Sequence, residues 1–411
     1  MARKPKERPP IDKVHQRPDY LLILLVVALL LVGLMMVYSS TFALAYNLHG
    51  ESAYFLTRQG MWAAMGLVIM ALITRIEYAK WQKLSIIIML ATLALLVAVL
   101  LIGQEMHGAK RWLLGNSVQP SEVCKLATVL YIAHWLSSKG EKLRQVSYGL
   151  VPFAVLIGAI AGLIILEPDF GTAILVVAVA GSMFFVAGAD LIQLIVSSIV
   201  GSSTLLLLIA NSEYAWVRVV TFLQDPFNVL QNPIHAGLPR ETYQIIHNLV
   251  TLGTGGITGV GLGSGQQKGL LPAGHSDAIF AVLGEELGLI GCLIVMGLFA
   301  ALGYRGFRIA LHAKDSFGFI LASGITMWLT FQALINIAAV TASLPFTGLP
   351  LPFISLGGSS LVISMFGVGM LLSISRGTGE KSQEQDAPSS FRRRHRWARI
   401  SHPGRSRAPE K

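Results

Sequence analysis

Charge is scarce in this sequence. Of 411 residues only 13% are Asp, Glu, Lys or Arg, where a soluble globular protein carries about 25%. That shortage excludes an ordinary water-soluble domain. Cysteine is nearly absent as well. Cys124 and Cys292 are the whole complement, and both fall in apolar runs. Neither a disulfide framework nor a zinc site is indicated, and the two read as small buried hydrophobes. The glycine-rich stretch 253–269 holds neither the phosphate-loop pattern nor a complete dinucleotide fingerprint. Residues 1–19 are basic and proline-rich, but no short apolar core with a small-residue cleavage site follows them. The first apolar run is therefore read as a retained span rather than a cleaved signal peptide. No internal repeat is visible.

Long apolar runs are what the chain does have. Hydrophobic residues make up 53%, gathered in stretches such as 21–37, 86–102 and 151–166. A helix needs about 20 mostly apolar residues to cross a bilayer. The pattern predicts an all-α integral membrane protein of about ten transmembrane helices, near 20–40, 54–74, 84–103, 121–137, 149–166, 171–188, 190–210, 278–303, 316–342 and 353–375. Basic residues test the count. Arg8 and Arg17, Arg75 and Lys80, Lys142 and Arg144, Arg305 and Arg308, and Arg392 to Arg396 all fall on one side if there are ten spans. The positive-inside rule makes that side, with both termini, cytoplasmic. The net charge of +10 is then a mark of topology and not of nucleic-acid binding. Three regions result: a basic N-terminal segment 1–19, a membrane domain 20–376, and a disordered basic tail 377–411 that touches anionic lipid or docks other proteins. The outer segment 211–277 is too long for a passive connector. Its stripe Ile245, Ile246, Leu249 and Val250 suits a helix lying in the membrane interface.

Ionisable groups inside spans are costly unless paired or wet, so each is a functional candidate. Glu122 and Lys125 share one helical face. They form either a structural ion pair or the polar wall of a substrate cavity, with Ser121 as a helix cap. Lys110 and Arg111 upstream either hold a phosphate or anchor at headgroups. Asp169, in the turn 167–172, reads as a turn or cap residue rather than a catalyst. His275-Ser276-Asp277 stands at the outer mouth of the eighth span, with Glu285 and Glu286 inside it. Asp277 is either an N-cap or a partly desolvated carboxylate suited to act as a base. The segment 350–360 breaks a helix near the outer face, so it is a helix entry or it lines a cavity.

Taken together these groups resemble the SEDS family of bacterial cell-wall polymerases over about 20–376. The matching stretches are Gly108 to Trp112 running into Gln119-Pro120-Ser121-Glu122 and Lys125, then Glu167 to Thr172. Gly261 to Lys268 with His275-Ser276-Asp277, Phe280 to Gly291, and Pro350 to Ser360 complete the set. Stretches 262–268 and 347–350 look more like the division branch of that family than its elongation branch. There are departures. Ala273 stands where the family has Glu, Gly274 and Ser276 alter the same motif, Ala278 replaces Phe, and Leu356 replaces Tyr before Gly357-Gly358.

The resemblance implies a SEDS fold and a peptidoglycan glycosyltransferase acting on lipid II at the outer face of the bacterial cytoplasmic membrane, at the division septum. The implied partners are lipid II, the growing glycan, a class B penicillin-binding protein and division proteins. Inverting chemistry from an α-linked donor to a β-1,4 product requires a base and cations on the departing diphosphate. Asp277 is assigned as the catalytic base. Lys268, Arg111 and Arg218 are assigned to the diphosphate, with Glu122 and Lys125 beneath the cavity. Gln267, His275 and Ser359 complete the substrate-binding set. No motif demands a cofactor, although a divalent cation, Mg or Mn, can assist the diphosphate. Rival readings are a lipid II flippase and a non-catalytic scaffold for a transpeptidase. Neither needs the Asp277 carboxylate.

Overall fold

The structure is a computed structural model, and it describes residues 18–106, 109–112, 119–223, 240–267, 271 and 274–377. The basic N-terminal segment up to residue 17, Lys268 and the tail from 378 lie outside the described residues. Helices account for nearly all of the rest. In order they are α1 (Tyr20–His49), α2 (Tyr54–Arg75), α3 (Tyr78–Ile102), α4 (Pro120–Lys139), α5 (Val151–Leu166), α6 (Phe170–Val186) and α7 (Leu191–Ala210). They continue as α8 (Glu213–Leu223), α9 (Arg240–Gly255), α10 (Ile279–Leu311), α11 (Ser316–Val340) and α12 (Gly358–Gly377). A short antiparallel hairpin, β1 (Gln104–Met106) and β2 (Ala109–Trp112), joins α3 to α4.

Each of the ten predicted spans coincides with a helix, and the differences lie at the ends. Among the described residues seven helices are long and apolar enough to cross a membrane: α1, α2, α3, α5 with its preceding turn, α10, α11 and α12. The helix α6 is apolar but shorter, as is the apolar stretch 191–204 of α7. In α4, 13 of 20 residues are buried, Glu122 and Lys125 among them, so its surroundings are mainly protein. α11 is central in the same way. Its apolar stretch is 72% buried, against 28% for α2 and α3. The outer helices show Leu24, Leu31, Leu90, Ile102 and Ile199 on their surfaces, each more than half exposed. A belt of this kind is what lipid requires, since water would penalise it.

Close helix approach is bought with small residues. Gly33 of α1 lies against the main chain of Phe353 and Ile354, leaving no room for a Cβ. The ends of the bundle away from Asp277 are tied by polar contacts. Asp19 caps α1 through Leu22 N (3.1 Å) and accepts from Arg305 near the end of α10. Asp315 caps α11 and accepts from Tyr78 Oη at 2.7 Å.

Three expectations are corrected. The α9 stripe does not face lipid. Ile245 and Ile246 are buried, and Ile245 packs with Ala339 at the end of α11 and Phe346 beyond it, with Leu249 beside them, so protein covers much of the apolar face. Ser121 does not cap α4. The cap position is Gln119, without a side-chain cap bond, and the Ser121 hydroxyl donates to Asp169 Oδ2 at 3.1 Å. The last helix starts at Gly358 rather than near 353, because main-chain groups of the preceding loop are held by Gln59 of α2 and by the loop's own Ser355 hydroxyl.

Candidate functional site

The site gathers where α10 begins and where the loop 341–357 joins α11 to α12. Asp277 ends the segment before α10 and is half-buried. The cap position of α10 falls on Ala278, which makes no side-chain cap bond. The Asp277 carbonyl accepts from Asn336 Nδ2 of α11 at 2.8 Å, and the same amide donates to Leu349 O at 2.7 Å. Ser355 adds a second link, donating to Ser276 O at 2.7 Å while accepting from Leu351 N at 2.8 Å. Leu356 N donates to His275 O at 3.0 Å. Gln59 of α2 donates to Ser355 O (3.2 Å) and accepts from Gly357 N (3.3 Å). Buried non-helical backbone needs partners for its amides and carbonyls, and these side chains supply them.

Arg218 of α8 reaches the same place. Its Nη1 donates to Phe346 O at 3.1 Å, and the guanidinium lies 5.6 Å from the Phe346 ring centre. Gly348 adopts φ +72°. A Cβ placed there would stand 3.5 Å from Asp277 Oδ2 and 4.0 Å from Arg218 Nη1. A carboxylate and a guanidinium therefore flank one point beside a glycine, which leaves that point open. His275 is half-buried, with its ring 6.4 Å from that of Phe55. Burial pushes its imidazole below the ordinary value, because the charged form loses hydration.

Glu122 and Lys125 sit deeper. Lys125 Nζ bonds Glu122 at 2.8 Å and Gln332 Oε1 at 3.0 Å, and both charged residues are 2% exposed. Gln332 Nε2 donates to Pro350 O at 2.8 Å. The pair thus meets the loop through Gln332, and Asn336, four residues along α11, meets Asp277. Lys125 also lines a small cavity between α4, α6 and α11 with Thr128, Met183 and Trp328.

The glycine-rich loop is fixed from α10. Glu285 Oε1 accepts from Gln266 N (2.8 Å) and Gln267 N (3.0 Å). The helix breaks at Gly288, which has φ +66°. The loop backbone repairs the break: Val260 N and Gly261 N donate to the carbonyls of Glu285 and Glu286, and Leu289 N and Ile290 N donate to those of Gly256 and Ile257. Glu286 accepts from Ser39 Oγ of α1 at 2.6 and 2.7 Å.

Of the residues singled out from the sequence, Asp277, Arg218 and His275 meet around the loop 341–357. Ser359 follows in the first turn of α12, half-buried. Gln267 is held by its amide at the last position of that described stretch. Arg111 has its backbone in β2, and its side chain lies outside what is described. Asp169 caps α6, accepting from Thr172 N at 3.1 Å, as a turn residue would. Sequence reasoning passed over Gln59, Gln332, Asn336 and Ser39. Among the described residues no three His, Cys, Asp or Glu side chains gather to hold a metal ion.

Fold and site together define a multi-pass α-helical membrane protein. At one end of its bundle a hydrogen-bonded loop brings a carboxylate and a guanidinium to one point beside Gly348. The chain belongs to the FtsW, RodA and SpoVE family, described as cell cycle protein, whose model matches residues 20–380. It is 41% identical over 364 residues to the protein of Trichlorobacter lovleyi named "Probable peptidoglycan glycosyltransferase FtsW", covering 87% of this chain and 93% of that one. It is 37% identical to stage V sporulation protein E of Bacillus subtilis, covering 87% and 97%. Among solved structures it is similar to RodA of Thermus thermophilus (TM-score 0.65, 27% identity, 88% of this chain and 98% of that one). It is also similar to a chain in a structure described as structural coordination of polymerization and crosslinking by a peptidoglycan synthase complex (TM-score 0.70, 27% identity, 88% and 99%).

Proposed function

We propose that this protein is a peptidoglycan glycosyltransferase that polymerises lipid II into β-1,4 glycan at the outer face of the bacterial cytoplasmic membrane, during division. The observation that carries the reading is the convergence of Asp277 Oδ2 and Arg218 Nη1 on the open point at Gly348. The named relatives supply the substrate class. The ten crossings and cytoplasmic termini expected from the charge pattern support a site on the outer side, where the disaccharide of lipid II is presented.

The reaction is a single displacement. The acceptor sugar hydroxyl attacks the anomeric carbon of the donor, its proton passes to the Asp277 carboxylate, and the bond from that carbon to the diphosphate oxygen breaks. The diphosphate leaves with the electron pair and stays on its lipid. Inversion follows from one displacement, so no glycosyl-enzyme intermediate is needed. Arg218 meets the charge developing on the leaving group, where a fixed cation is worth most. Lys268 and Arg111 are assigned to the same task. Gln267, His275 and Ser359 line the path of the sugars, and Glu122 with Lys125 supports the cleft from beneath. A class B penicillin-binding protein is the proposed partner for crosslinking, and division proteins and anionic lipid are proposed for the basic tail.

The broken helix α10 is also what a flippase would use. The two readings part on chemistry. Purified protein given lipid II in detergent, with its transpeptidase, should make a muramidase-sensitive polymer. Movement of lipid II across vesicles without polymer in either setting would overturn the proposal.

A further inference from the structure

We propose that Gln332 and Asn336 are positioning residues that set the distance between Asp277 and the loop carrying Gly348. This rests on the glycosyltransferase reading above and adds how its geometry is held.

Both side chains project from one face of α11, four residues apart, and they are 0% and 2% exposed. Their amides are oriented by chemistry. Gln332 Oε1 faces Lys125 Nζ (3.0 Å) and Trp328 Nε1 (2.9 Å), and those two groups can only donate. The carbonyl end of Gln332 is thereby fixed, and its Nε2 must point away, to Pro350 O at 2.8 Å. Lys125 in turn is held by Glu122. The buried ion pair therefore sets the rotamer of Gln332, and Gln332 sets the height of the loop.

Asn336 completes the frame. An amide nitrogen has two protons, and here one goes to Asp277 O and the other to Leu349 O. The two acceptors belong to segments 72 residues apart in sequence (349 minus 277), so a single side chain staples them. Leu349 is the neighbour of Gly348, the point flanked by Asp277 Oδ2 and Arg218 Nη1. The staple fixes the width of the gap in which proton transfer and diphosphate departure occur. Asn336 Oδ1 is buried and accepts no hydrogen bond among the described residues. Only the two donations hold the amide in place, and a carboxylate of the same shape would turn both into repulsions. An error of about 1 Å in such a constellation costs on the order of a hundredfold in rate.

The test uses the full chain with its transpeptidase in lipid nanodiscs and lipid II as substrate. Asn336→Asp should lower kcat about a hundredfold and leave KM within about threefold, the signature of an interaction used in the transition state and not in binding. Gln332→Met, which removes the link to Pro350 without adding charge, should show the same split at about tenfold. Hydrogen exchange should rise in both variants over 347–356, and in Asn336→Asp also at 276–278. The exchange readout does not depend on activity. If wild type makes no polymer, the glycosyltransferase reading fails, while unchanged exchange in both variants overturns the staple whatever the activity. Wild-type kcat in both variants, or a rise in KM with kcat unchanged, overturns the positioning role. Should Asn336→Asp fail to fold, Gln332→Met decides by the same criteria.

Discussion

Lys125 and Glu122 form an ion pair at 2.8 Å on one face of α4, with both residues 2% exposed. Removing one partner strands a charge, which costs roughly 3–5 kcal/mol. Lys125→Met and Glu122→Gln should each lower the thermal transition of the purified protein strongly. The double variant should recover most of that loss, because no charge is left unpaired. Recovery of the fold without recovery of polymerisation would show that the pair also serves the cleft through Gln332.

Glu285 is the next place to press. Its one oxygen takes two loop amides, at 2.8 and 3.0 Å, and hydrogen bonds to a charged group are worth about 1.5–3 kcal/mol each. Glu285→Ala should loosen the loop around 261–267. Limited proteolysis should then cut there faster than in wild type while the helices stay intact.

Gly348→Ala combines two effects. At φ +72° an alanine is strained by about 1–2 kcal/mol, and its methyl would fill the space between Asp277 Oδ2 and Arg218 Nη1. Turnover should fall by far more than that loss of stability accounts for. Equal proportional losses in both, measured side by side, would mean that the gap is not where the substrate reacts.

His275 should impose a pH dependence on stability. Burial lowers its folded pKa below the ordinary 6.5, so between those two values the unfolded chain binds more protons. Stability then falls as pH drops from about 6.5 towards the folded value, and above 6.5 the effect is absent. Thermal transitions recorded from pH 7.5 to pH 5 should show this decline, and His275→Gln should flatten it.

What was legible in the sequence follows from cost. Glu122, Lys125, Asp277 and the paired acids of α10 stand out because a charge in an apolar span is expensive, and they lie in or beside the site. Gln332 and Asn336 were missed because a neutral amide is a weaker anomaly than a charge, and their partners are backbone carbonyls far away in sequence. The α9 stripe was read correctly as apolar, but periodicity cannot say whether lipid or Phe346 will cover it. The entry of α12 moved to Gly358 for a similar reason. Bonds from Gln59 and within the loop at Ser355 hold 351–357 away from helix geometry, and no local pattern records a bond made 296 residues away.

The central claim is that Asp277 takes the proton of the acceptor hydroxyl. Its most direct test is glycan polymerisation from purified lipid II by wild type and by Asp277→Asn, each with its transpeptidase, with lipid II binding measured on the same samples. The account predicts polymer from wild type, none from a variant that still folds, and binding of lipid II by both. Full polymerisation by Asp277→Asn would contradict it.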